Sequence, residues 1–268
     1  MILLPSQPFT RWRRRSLRNS LKSTIKTVVG QLGYQVTKVA RPTVIDGSYY
    51  EPITPRASYA PWHADRLFME THGKIQNNTL VDLYRCWELW SLVRQSAKLD
   101  GDLIEIGVWR GGTGAILAKQ AATCGINGLV YLCDTFRGVV KAGAEDASYQ
   151  GGEHADTSRQ TVESLIHDQL KLTNVRILEG IFPDDTAHLI EKSDVRFRLC
   201  HIDVDVYRSA KEILDWVWPR MVPGGIVVYD DYGFSTCQGL ARFVDEQVDA
   251  KDRLVLHNLN GHAVVIKL

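Results

Sequence analysis

A chain of 268 residues, 44% of them apolar, is long enough for one large α/β domain with appendages. No apolar run approaches the ~20 residues of a membrane-spanning helix, so an integral helical membrane protein is not expected. The net charge of +1 hides an asymmetry: residues 1–45 hold nine Lys or Arg and no acid, which leaves the rest of the chain at −8.

The basic stretch carries Leu17, Leu21, Ile25 and Val28 at helical spacing, followed by a turn-rich run through Pro42, Gly47, Pro52 and Pro55. Lys26, Gly30 and Gly33 interrupt the apolar pattern that a signal peptide would need, so the segment is expected to be retained. Residues 1–56 are read as a partly helical or flexible appendage that contacts a second copy of the chain or nothing. Reversible attachment to an anionic membrane is the alternative. No nucleic-acid motif accompanies the charge. The five cysteines form no CxxC pair and four lie in apolar runs, as reduced core thiols do. The expected location is the cytoplasm, with the periphery of the inner membrane face as the alternative.

The main domain is expected at 57–268. It opens with helices over 62–72 and 79–99, the second carrying Leu80, Leu83, Tyr84, Trp87 and Trp90 as a packing stripe. From there apolar runs at 103–107, 129–134, 175–179, 197–203 and 225–230 alternate with helical patterns, which predicts a mostly parallel sheet with helices on both faces. Two final runs, 254–259 and 263–268, flank Asn260-Gly261 and predict an antiparallel hairpin. The polar, Gly-containing connection 137–156 is long enough to be functional or disordered.

The first strand leads into Glu105-Ile-Gly107-Val-Trp-Arg-Gly111-Gly112-Thr113-Gly114, a turn that lets a ligand approach the backbone before a helix. A dinucleotide loop fails here, because Leu117 stands where G-x-G-x-x-G needs its last glycine. Asp134 ends the next strand, where a carboxylate can accept both ribose hydroxyls of an adenosine group. The pattern therefore favours S-adenosylmethionine over NAD, although a capping or surface role for Glu105 stays open.

Two later strands end in acids, Asp203-Val-Asp205 and Asp230-Asp231. In an extended strand end Asp203 and Asp205 share a face, with α-carbons about 6–7 Å apart. Aspartates gathered at neighbouring strand ends repel unless a cation joins them, and an all-oxygen set suits Mg²⁺ or a similar hard ion. Helix capping by Asp230 or Asp231 is the plain alternative. His201 reads as a satisfied core histidine, and His154, in the long connection, as open to substrate.

These blocks, with Asn78-Thr79-Leu80-Val81-Asp82, Asp134-Thr135-Phe136-Arg137-Gly138, Glu179-Gly180-Ile181-Phe182-Pro183-Asp184 and Pro223-Gly224-Gly225, resemble the macrocin O-methyltransferase family over about residues 60–250. The resemblance implies a Rossmann-like class I methyltransferase that uses S-adenosylmethionine and magnesium to methylate a hydroxyl of a sugar, glycan or glycosylated metabolite. By that similarity Glu105, Gly107, Thr113, Asp134, Thr135, Gly180 and Asp203 contact the cofactor. Asp203, Asp230 and Asp231 hold the metal, and Asp205 is the general base. A catechol or other phenol as acceptor, and a catalytically silent binding module, are the competing readings.

Overall fold

The computed structural model describes residues 57–190 and 194–268, together with 42–45, 47–54 and the single positions 29 and 31. The chain divides into two compact units, Met1–Pro52 and Ile53–Leu268. In the first, β1 (Thr43–Ile45) and β2 (Ser48–Tyr50) pair as a short antiparallel hairpin. The expected basic helix through Leu17–Val28 lies outside the described residues.

Among the described residues the second unit holds seven strands: β3 (Asp102–Ile106), β4 (Val130–Asp134), β5 (Val175–Glu179), β6 (Phe197–Ile202), β7 (Met221–Tyr229), β8 (Arg253–His257) and β9 (Ala263–Lys267). They form one sheet in the order β5-β4-β3-β6-β7-β9-β8. The first five run parallel, and the C-terminal hairpin is antiparallel as expected. This is the class I methyltransferase arrangement. Alternate residues feed two separate cores: Leu103, Leu132, Leu199 and Val228 point to one face, Ile104, Cys133, Cys200 and Tyr229 to the other. A sheet covered on both faces requires apolar residues at every position, which is why these strands read as continuous apolar runs.

Helices α1 (Arg66–Ile75), α2 (Leu83–Ser96) and α3 (Gly112–Thr123) supply one core, and α5 (Tyr207–Val217) and α6 (Gln238–Asp245) the other, with the short α4 (Arg159–Glu163) before β5. Both N-terminal helices start later than the periodicity suggested, because aspartates cap them. Asp65 accepts from the Phe68 N–H, and Asp82 from those of Tyr84 and Arg85. The predicted stripe is shifted as well. Leu80 precedes α2 and is 66% exposed, Tyr84 is 57% exposed, and the buried face runs through Cys86, Leu89, Trp90 and Val93. Among the described residues no helix is long and apolar enough to cross a membrane.

The chain order reverses between β3 and β6, and a crevice opens beyond their carboxyl ends. Gly107 has φ +87°, and a β-carbon there would lie 1.6 Å from the Asp203 carbonyl oxygen. Gly107→Ala should therefore lower stability by at least roughly 3 kcal/mol. Gly73, on α1 with nothing within 4 Å of its added β-carbon, should instead gain about 0.5–1 kcal/mol as alanine. Urea denaturation of both variants checks the pair, and equal effects would contradict the close approach.

Candidate active site

A cavity of about 300 Å³ occupies the crevice. The turns after β3, β4 and β5 bring Gly107, Trp109, Asp134, Thr135 and Gly180 to its wall. Asp134 joins two of these turns: Oδ2 accepts the N–H groups of Val108 (2.6 Å) and Trp109 (2.8 Å), and Oδ1 accepts that of Phe136 (2.6 Å). Each carboxylate oxygen can accept a further hydrogen bond from the cavity side. Gly180 N–H donates to the Asp134 carbonyl, and the Thr135 hydroxyl donates to the Gly138 carbonyl, so the rim is held by bonds among its own residues.

The connection 137–156 adds no helix or strand, yet it is tied down along its length. Asp156 accepts from Trp109 Nε1 (2.9 Å) and Arg110 Nη2 (2.7 Å), while the Arg110 guanidinium lies over the Trp109 ring. Further in, the Tyr149 hydroxyl donates to Asp205 Oδ1 at 2.5 Å, and His154 reaches the cavity wall.

The ends of β6 and β7 bring Asp203, Asp205, Asp230 and Asp231 to the same cavity. One oxygen from each of Asp203, Asp230 and Asp231 falls within a group spanning no more than 4.8 Å. Burial, and then repulsion from the other acids, raises the Asp203 and Asp231 pKa values well above the usual carboxylate range. Burial also raises Asp205, against the opposing pull of the Tyr149 hydroxyl and His154. Asp230 moves the other way. Its burial is outweighed by His201, His262 and the Arg85 guanidinium, which hold it below the usual range.

Sequence relationships accord with this geometry. The family model described as macrocin-O-methyltransferase (TylF) matches residues 71–257. The chain belongs to this family. Mycinamicin III 3''-O-methyltransferase of Micromonospora griseorubida is 28% identical to this macrocin O-methyltransferase family member over 204 residues, 69% of this chain and 74% of the relative. A 4'-O-methyltransferase of Streptomyces olivaceus, named for its 8-demethyl-8-(2,3-dimethoxy-alpha-L-rhamnosyl)-tetracenomycin-C substrate, is 31% identical over 152 residues, 52% of this chain. That match spans 55% of the relative's own length. Among solved structures, the O-methyltransferase NovP superposes with a TM-score of 0.63 at 20% identity, covering 77% of this chain and 98% of that one.

In this family member the fold brings together all the acids singled out from the sequence except Glu105. That side chain is fully buried, with Oε1 2.8 Å from His201 Nδ1, and it stands behind the cavity wall rather than in it. Gly114 permits this placement, since a β-carbon there would sit 2.6 Å from Glu105 Oε2. Thr113 is likewise buried in the first turn of α3, away from the lining. Asp203 and Asp205 do not extend one strand as expected. β6 stops at Ile202, and Asp205 adopts a left-handed φ of +64° with its N–H donated to Asp231 Oδ2.

Sequence reasoning missed Arg85, Tyr149 and His262. Arg85 had a faint signal, a charged residue flanking the apolar face of α2; Tyr149 and His262 had none. Because three N–H groups converge on Asp134, an amide there would set its own NH₂ against a backbone donor. Both Asp134→Ala and Asp134→Asn should weaken S-adenosylhomocysteine binding by roughly 10- to 100-fold in calorimetry, the loss of charge-assisted hydrogen bonds. An asparagine variant with unchanged affinity would reduce the role of Asp134 to a neutral acceptor.

Proposed function

We propose that this protein is an S-adenosylmethionine-dependent O-methyltransferase that methylates a sugar hydroxyl of a glycosylated metabolite with the help of a divalent cation. The observation that carries the reading is the convergence of Asp203, Asp205, Asp230 and Asp231 on one cavity beside the Gly107 turn. Support for a sugar acceptor comes from a relative that is a 4'-O-methyltransferase of a compound bearing a dimethoxy-rhamnosyl group.

Gly107, Asp134, Thr135, Gly180 and Asp203 would hold the cofactor, and Asp203, Asp230 and Asp231 the cation. The donor set fits a hard ion. It is all oxygen, and two of its three carboxylates are destabilised as anions by burial and mutual repulsion, which a bound cation relieves. Cys237 Sγ lies 3.8 Å from Asp205 Oδ1, but burial and the nearby acids push its pKa up and keep it a thiol, a poor ligand for such an ion. When bound, the cofactor supplies an electrophilic methyl group and the cation a positive charge that lowers the pKa of a nearby hydroxyl.

The protein's own contribution is placement and proton removal. Tyr149 holds Asp205 Oδ1, which fixes the carboxylate and leaves Oδ2 to accept the acceptor's proton. Asp205 is thereby placed beside the other acids as the group that takes the proton. An aliphatic hydroxyl is a weak acid, so cation and base are both needed, whereas a phenol needs less help.

Methyl transfer, followed as S-adenosylhomocysteine release with a panel of glycosylated acceptors and catechols, should stop on chelation and resume with Mg²⁺. The glycosylated acceptors should be preferred, and faster turnover of catechols would favour the phenolic reading. Asp205→Asn should cut kcat by roughly 10²- to 10⁴-fold, with S-adenosylhomocysteine and Mn²⁺ binding retained. Full turnover after chelation would remove the cation from the reaction, and wild-type turnover in Asp205→Asn would remove the base.

A further inference from the structure

At the tip of the β8–β9 hairpin, His262 is fully buried and touches an acid with each ring nitrogen. Nε2 is 2.8 Å from Asp230 Oδ1, and Nδ1 is 2.7 Å from Glu88 Oε2 on α2. Glu88 is fixed in turn by the side-chain amides of Asn258 and Asn260 from the same hairpin turn. On the other side His201, also fully buried, holds Glu105 through Nδ1 and brings Nε2 to 3.5 Å from the same Asp230 oxygen. The Arg85 guanidinium engages Asp230 Oδ2 and is anchored by Asp82. Both oxygens of Asp230 are therefore gripped, while its neighbours Asp203 and Asp231 have no comparable cationic partner among the described residues.

We propose that His262, backed by Glu88, is a positioning residue that clamps Asp230 so that it faces Asp203 and Asp231 as a cation ligand. The inference rests on the cation reading given above. It assigns a task to the hairpin tip, which lies beyond residue 257, where the family match ends.

The chemistry favours a clamp over a simple hairpin anchor. A hairpin tip can be tied to a helix by neutral hydrogen bonds, and Asn258 and Asn260 already make such bonds to Glu88. An imidazole held by a carboxylate on one nitrogen has its ring orientation fixed, and the other nitrogen then aims in one direction. Here that direction is Asp230 Oδ1. Each carboxylate oxygen has a second lone pair, and His201 Nε2, at 3.5 Å, makes no full hydrogen bond to Oδ1, so the contact with His262 leaves Asp230 acceptor capacity, with one of its oxygens within 4.8 Å of oxygens of Asp203 and Asp231. Without the clamp Asp230 would keep Arg85 as its strong partner and could turn toward it, away from the other two acids.

The test is Mn²⁺ binding to the full-length protein by calorimetry, alongside S-adenosylhomocysteine binding and thermal melting. Wild type should bind Mn²⁺. His262→Ala should weaken Mn²⁺ about 10- to 100-fold, the usual effect of losing a group that orients a metal ligand, with S-adenosylhomocysteine affinity unchanged. His262→Gln, whose amide can still donate to Asp230, should recover part of the loss. Glu88→Ala should weaken Mn²⁺ less than His262→Ala, and the double variant should be no worse than His262→Ala alone, because Glu88 acts through the imidazole. Unchanged Mn²⁺ affinity in His262→Ala would overturn the clamp while leaving the cation reading intact, as would additive losses in the double variant. Parallel loss of Mn²⁺ and S-adenosylhomocysteine binding would mark His262 as a fold anchor and overturn the clamp too. A wild-type protein that binds no Mn²⁺ would remove the cation reading and the clamp with it.

Discussion

The contact on which the site depends is one of backbone against backbone. The Asp203 carbonyl oxygen occupies the space that any side chain at position 107 would need, and the Asp203 N–H donates to the Ile106 carbonyl. β3 and β6 can meet this closely only because residue 107 is glycine. The turn after β3 and the acids after β6 are thereby joined edge to edge. What contacts the turn is within reach of the acids, and neither group can move without the other.

The charges around that junction are distributed unevenly. His201, His262 and Arg85 all gather on Asp230, whereas burial and repulsion act on Asp203 and Asp231 with little to offset them, and Asp205 is offset by the Tyr149 hydroxyl and His154. A protein optimising only its folded stability would neutralise such a cluster or replace it with apolar groups. Keeping one acid anionic beside others that burial and repulsion disfavour as anions leaves a site with charge to be compensated. A bound cation, or a proton leaving a substrate, would relieve it.

Most of the fold was legible because local rules and burial agreed. Each strand buried on both faces announced itself as an apolar run, and Asn260-Gly261 marked the hairpin. The helix starts are less legible because Asp65 and Asp82 cap within apolar stretches, and the packing stripe is shifted because Leu80 and Tyr84 are exposed while Cys86 and Val93 face the core. In the site, the acids at strand ends stood out by chemistry and position. The place of Glu105 is not legible, because a sequence cannot show that a strand residue lies beneath a helix glycine. Tyr149, Glu88 and His262 were invisible for a different reason. Each acts on a residue between 32 and 174 positions away, and nothing local marks a partner that only the folded chain supplies.

The position of β9 has a consequence for synthesis. β8 pairs only with β9, and β9 lies between β8 and β7. A ribosome-bound chain that has produced β8 thus has no edge on which to place it until the residues through Lys267 have emerged, and β7 stays an open edge meanwhile. His262 directly precedes β9, so the acids at the ends of β6 and β7 are synthesised before it. Completion of the sheet and completion of the charged centre are one event, because both await the β8–β9 turn and β9.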